Sequence, residues 1–192
     1  EKLQPEKPAE PFGGAIVGAN FARYSLAVGN SSEMGLVLGG YGEFPIYKNA
    51  GMYLFLRPEL LISNERNSTS SADSLRLTYI EIPFSIKAAF GEGNTKPFGL
   101  VGASLGYLLS ATLSTAAGET SLDYTKNRFT VFAGAGVQTK VSETFSLHLL
   151  GRYFLAITDS SNNSESKLRM LQVVAGAGWK FEVGGGTDNG TY

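Results

Sequence analysis

RFTVFAGAGVQTKVSETFSLHLLGRYFLAITDSSNNSESKLRMLQVVAGAGWKF, residues 128–181, is the stretch that decides the architecture. Its first segment places Phe129, Val131, Ala133, Ala135 and Val137 on one face and Thr130, Phe132, Gly134, Gly136 and Gln138 on the other. A two-residue period is that of a β-strand. Only SET separates this segment from the next, whereas DSSNNSESK precedes the third. There the alternation resumes, with Leu171, Val173, Ala175, Ala177, Trp179 and Phe181 opposite Gln172, Val174, Gly176, Gly178 and Lys180.

The same alternation of connections runs outward through the chain. Strands are expected near 13–23, 34–45, 50–64, 75–90, 97–112, 128–141, 145–158 and 168–182. PIYKN, GEGNTK and SET make short turns after the second, fourth and sixth, while YSLAVGNSSE, ERNSTSSAD, STAAGETSLDYTKN and DSSNNSESK are long polar connections after the others. Short turns at one end and long loops at the other mark a transmembrane β-barrel, and a soluble sandwich has no reason to sort its loops this way. The expected fold is therefore all-β, an eight-stranded antiparallel up-and-down barrel over residues 12–183, set in a bacterial outer membrane. Both termini then fall on the short-turn, periplasmic side, and the long loops are extracellular. Residues 1–11 (EKLQPEKPAEP) and 184–192 read as flexible tails, and Glu1 as the start of a mature, processed protein.

Composition agrees. The chain of 192 residues holds 24 glycines and no cysteine, with a formal net charge of -1. Disulfides, thiolate metal sites and cysteine nucleophiles are excluded, and scattered lysines and arginines give no nucleic-acid footprint. No run of about 18 apolar residues offers a membrane helix. A spanning strand needs about 9–11 residues, longer than the usual globular strand, and most segments here reach it. Aromatics gather at the strand ends: Phe44, Phe90, Phe98, Phe145, Trp179 and Phe181 toward the short turns, Tyr107, Phe129 and Tyr153 toward the loops. That distribution suggests two interfacial girdles.

If the apolar face meets lipid, the other face fills the lumen. In the fourth strand Ile80, Ile82, Phe84, Ile86 and Ala88 point out, and Tyr79, Glu81, Pro83, Ser85 and Lys87 point in. Inward Gly102, Gly106, Gly134, Gly136, Gly176 and Gly178 allow close approach. Arg57, Glu59, Glu81, Arg152 and Gln172 lie inward near mid-strand, with Glu43, Lys87, Lys140 and Lys180 toward the short turns. Unpaired charges in so narrow a space are costly, so Arg57 and Arg152 are expected to pair with Glu59 and Glu81. Such a network is either a plug of mutually satisfied salt bridges or an ion path, and an eight-stranded lumen favours the plug. Pro58 and Pro83 interrupt strands, and bulges are the expected solution.

RPELLIS (57–63), YIEIPFSIKAAFG (79–91), KPFGLVGASLGYLLSA (96–111), FAGAGVQTKV with FSLHLLGRYFLAITD (132–159) and LQVVAGAGWKF (171–181) come in an order that resembles the PorT-like outer-membrane β-barrel family of Bacteroidetes-type bacteria. The resemblance spans about residues 13–182. It implies location and architecture; its named member is an accessory of type IX secretion, a role that similarity of fold does not transfer. Gly176, Trp179 and Phe181 look like the terminal signal read by the barrel-assembly machinery, although Glu182–Tyr192 follow where such signals end the chain.

No cofactor or metal site is expected. His148 is the sole histidine, too few for an ordinary zinc site. Alternation turns it inward in the short-turn half, the wrong face for an outer-membrane lipid hydrolase. No phosphate-binding glycine motif sits between a strand and a helix, and ERNSTSSAD and DSSNNSESK lack calcium-loop spacing. The leading expectation is a non-enzymatic structural or accessory subunit of a larger envelope complex. A narrow pore and a lipid-modifying enzyme are the alternatives. Asp73-Ser74-Leu75 matches the short Asp-Ser/Thr-aliphatic pattern O-glycosylated in Bacteroidetes-type bacteria, making Ser74 a candidate glycan site in or at the edge of a long loop. Mass spectrometry of the native protein is expected to find sugar on the peptide containing Ser74; a peptide of unmodified mass would refute the assignment.

Overall fold

The structure, a computed structural model, describes residues 11–24, 31–49, 51–68, 74–115, 118–121, 127–157 and 168–181. The expected tails therefore lie almost wholly outside the described residues, as does the run DSSNNSESK. Among the described residues there are nine strands: β1 (Phe12–Tyr24), β2 (Ser31–Asn49), β3 (Met52–Ser68), β4 (Ser74–Phe90), β5 (Thr95–Thr115), β6 (Gly118–Ser121), β7 (Asn127–Lys140), β8 (Phe145–Ala156) and β9 (Leu168–Lys180). All pairings are antiparallel. Every strand but β6 joins a closed ring, β1-β2-β3-β4-β5-β7-β8-β9, in which β1 returns to β9 through thirteen registered pairs from Phe12↔Lys180 to Tyr24↔Leu168.

Side chains sort as the alternation requires. Leu36, Leu38, Leu60, Ile62, Val101 and Leu105 stand exposed on the outside, while Leu61, Leu150, Phe154, Met170 and Val174 are buried within beside the charged residues. An apolar exterior round a polar, packed interior is the inverse of a water-soluble protein. It is the arrangement that puts apolar groups against hydrocarbon and closes every backbone hydrogen bond within the wall.

The wall extends beyond the expected strand ends. Ser31 pairs with Ser68, and Ser68 with Ser74, which is thus the first residue of β4 rather than part of a loop. Residues 65–68, which open the run ERNSTSSAD, are strand for the same reason. Their sequence has no apolar period, and backbone pairing carries the hairpin on. Strand β6 arises likewise. It extends the ladder of β5 from Thr112↔Ser121 to Thr115↔Gly118 inside the expected long loop.

Two expectations need correction. The register runs unshifted past Pro58, from Tyr41↔Glu59 to Phe44↔Leu56 on one side and from Pro58↔Phe84 to Leu61↔Glu81 on the other. It also runs unshifted past Pro83, which faces Ser104. A missing N–H deletes a ladder bond but does not demand an extra residue. The irregularities lie instead at Glu33/Val37, Pro45/Tyr47 and Thr78/Tyr79. Phe98, expected in the girdle, faces inward at 3% exposure, because its place in the alternation outweighs its nearness to a strand end. Phe44, Phe90, Trp179 and Phe181 are exposed outside near the short turns, and Tyr107 and Tyr153 nearer the other end.

Ile82 lies at the middle of β4 and faces outward. Ile82→Arg is expected to destabilise the barrel by about 2–4 kcal/mol, the cost of a cation near the bilayer midplane. Equilibrium urea unfolding in lipid vesicles measures it, and a change near zero would place this face in water.

Candidate functional site

Alternation on β1, β2, β3, β4, β7, β8 and β9 delivers polar side chains to the barrel axis, and they join in one continuous chain. Gln138 Nε2 donates to Ser146 Oγ at 3.2 Å, while Gln138 Oε1 accepts a short bond from Lys87 Nζ. Lys87 also donates to both Glu43 oxygens, at 2.7 and 2.9 Å. Arg57 Nη1 donates to Glu43 at 2.6 Å, and its Nε to Glu59 Oε1 at 2.8 Å. The second oxygen of Glu59 accepts from Arg152 Nη1 at 2.8 Å. From Arg152 the chain continues through Gln172 (2.6 Å) and Asn20 (2.5 Å) to Ser63 (2.6 Å).

A second cluster centres on Arg128. Its Nη2 lies 2.7 Å from Glu65 Oε1 and 2.6 Å from Glu81 Oε1, and its guanidinium stacks 4.0 Å above the Tyr79 ring. Glu81 is therefore not bonded to Arg57 or Arg152, the partners expected from sequence; Glu43 takes that place beside Arg57. The reason is barrel geometry. A given height brings together residues from strands far apart in sequence, and Glu81 reaches the level of Arg128. Extending the alternation of Thr130 and Phe132 back by two residues would have found Arg128. Glu65 was hidden because its run reads as loop.

Among the described residues the buried charged side chains are Glu43, Glu59, Glu65 and Glu81 with Arg57, Lys87, Arg128 and Arg152, four acids and four bases. This buried set is thus electroneutral by side-chain count. Lone charges in a low-dielectric interior would each cost several kcal/mol, and this mutual pairing offsets that cost. Aromatic rings cover part of the remainder. Lys87 Nζ sits 4.3 Å from the Phe98 ring centre, Arg57 lies 4.1 Å over Tyr41, and Arg152 lies 5.2 Å from Phe154. Arg152 Nη2, Glu81 Oε2 and Ser104 Oγ are buried without a protein hydrogen-bond partner.

His148 is enclosed in this network. Its Nε2 lies 3.1 Å from Arg57 Nη2, and its Nδ1 3.4 Å from Tyr41 Oη. A guanidinium can only donate, so Nε2 accepts and the ring proton is assigned to Nδ1. The ring fits because Gly176 has no side chain: a Cβ there would stand 2.1 Å from His148 Cε1. At Gly178 a Cβ would stand 2.2 Å from Tyr41 Oη. Both ring nitrogens are engaged inside the wall, facing away from lipid.

The sequence profile of the outer membrane protein beta-barrel domain matches residues 13–185. The chain belongs to that family. The location of this outer-membrane barrel is accordingly a bacterial outer membrane. Among solved structures it is similar to Neisserial surface protein A, with TM-score 0.60, 17% identity, and coverage of 92% of this chain and 100% of that one. It is also similar to the attachment invasion locus protein Ail of Yersinia pestis, with TM-score 0.51, 16% identity and coverage of 90% and 100%. For the outer membrane enzyme PagL the TM-score is 0.51 at 13% identity, with coverage of 86% and 97%. At these identities the likeness is one of fold. No curated protein matches the chain in sequence.

In this outer-membrane barrel the residues resembling an assembly signal occupy both faces of β9 and its end. Gly176 is inward beneath His148, whereas Trp179 and Phe181 are exposed outside, packed beside Phe145 (ring centres 5.2 Å apart) and Phe44 (6.0 Å). Arg57, Glu59 and Arg152 form one bonded cluster, and Glu81 belongs to the other.

Glu59 holds two buried guanidinium groups at once. Glu59→Gln is expected to cost about 3–5 kcal/mol, because both cations lose their shared counter-charge. Adding Arg152→Gln is expected to recover part of that loss, since the two sites are coupled. Urea unfolding followed by fluorescence of the single tryptophan, Trp179, reads both. Simple additivity would show that the pair does not interact.

Proposed function

We propose that this chain is a non-enzymatic outer-membrane barrel that serves as a structural or accessory subunit of a larger envelope complex, in transport or secretion. The observation that carries the reading is the lumen. Four buried acids and four buried bases neutralise one another across it, and the chain from Ser146 to Ser63 ties its opposite walls together. A barrel filled this way works through its surfaces and loops rather than by passing solutes. The ordered resemblance to PorT-like barrels belongs to the same reading. So does the orientation that puts the short turns and both chain ends in the periplasm and the long loops outside.

The non-enzymatic part rests on His148. A general base must reach the proton it removes, and the two nitrogens of this histidine are held by Arg57 and Tyr41 inside the wall. Lipid is the partner of the outer face. Gly176, Trp179 and Phe181 are the residues offered to the barrel-assembly machinery during insertion. Ser74, at the start of β4, is the residue offered for O-glycosylation.

Extraction of the native outer membrane in mild detergent, separation of intact particles and identification of their components tests the proposal. Co-migration with a larger transport or secretion assembly is expected. A lone barrel-sized particle, together with reproducible single-channel conductance in planar bilayers, would replace the accessory reading with that of a narrow pore.

A further inference from the structure

At the short-turn end the lumen widens into a cavity of about 260 Å³. Lys48, Lys96, Lys140 and Lys180 line it, from four different strands spaced round the wall, and no acidic residue is among its described lining residues. Alternation already turns Lys96, Lys140 and Lys180 inward. Lys48 joins them because the irregularity at Pro45/Tyr47 shifts the phase of β2 and sets Lys48 opposite inward-facing Tyr53. A bulge can re-aim a side chain in this way.

The ammonium groups are organised rather than merely present. Lys96 Nζ lies 3.6 Å from the Tyr53 ring centre, and Lys48 Nζ lies 5.7 Å from the same ring. Gln138 also lines the cavity, and its carbonyl is held from below by Lys87, itself committed to Glu43. Glu92 and Glu143, the acids of the adjoining short turns, are exposed and outside the lining. Like charges gathered in a concave mouth focus the field on counter-ions.

We infer that this mouth binds a small multivalent phosphoanion. The volume lies below the roughly 300–1,000 Å³ of pockets that hold drug-sized ligands, so the occupant is compact. Lysines act as point charges, suited to a tetrahedral oxygen set approached from several sides. The site stands apart from the accessory role and does not depend on it.

Isothermal calorimetry on the purified full chain in a non-ionic detergent, with sodium pyrophosphate as probe, tests the inference. One saturable site is expected, weakening as salt is raised. Affinity is expected to fall at least tenfold in Lys96→Gln/Lys140→Gln and to be unchanged in Arg66→Gln/Arg76→Gln, which removes two exposed charges facing each other in the long-loop half. Lys140→Gln alone, at an exposed rim position, is expected to weaken binding about threefold and covers the case in which the double variant does not fold. Absence of saturable heat, or equal affinity in the folded lysine variants, would overturn the site. Equal binding of citrate would overturn its phosphate character.

Discussion

A strand in hydrocarbon cannot leave its backbone donors and acceptors bare, and the ring closure of β1 on β9 answers that constraint. Everything else depends on it. Once the ring is closed, each strand has one face for lipid and one for the axis. Ile82 and Leu105 then belong outside, and Glu59 and Lys87 inside. The prolines show how strongly the constraint acts. At Pro58 and Pro83 the ladder gives up a bond locally and keeps its register, because a shift would invert the faces of the whole following strand.

Closure creates the second problem, a narrow interior holding charges. The chain solves it by balance and by reach. Glu59 receives Arg57 from two residues away and Arg152 from 93 residues away, and Gln172 bonds Asn20 across 152 residues. The bond from Arg152 to Glu59 crosses the lumen and locks β8 to β3, strands that never pair with one another. The glycines of β9 belong to the same solution. Gly176 leaves room for the His148 ring and Gly178 for the Tyr41 hydroxyl, both of which pack into the polar core. At the short-turn end the balance gives way to a rim of lysines, where the lumen opens toward solvent.

The expected network held Arg57, Glu59 and Arg152 together but misassigned Glu81, whose partner is Arg128. Parity tells which residues point inward; it does not tell which of them share a height. Height depends on strand tilt and on irregularities such as those at Pro45/Tyr47 and Thr78/Tyr79, which carry little sequence signal. Glu65 shows a second limit. Backbone pairing needs no apolar period, so ERNSTSSAD reads as loop although its first residues are wall.

An eight-stranded membrane barrel was legible along the chain, because alternating faces and sorted connection lengths are local properties. So was the presence of charges in the lumen, since parity alone turns them there. Folding alone settles which charges meet, that the four buried acids and four buried bases form two clusters, and that Lys48 joins Lys96, Lys140 and Lys180 round one cavity. Those facts depend on distances between strands remote in sequence, and closing the ring is what sets them.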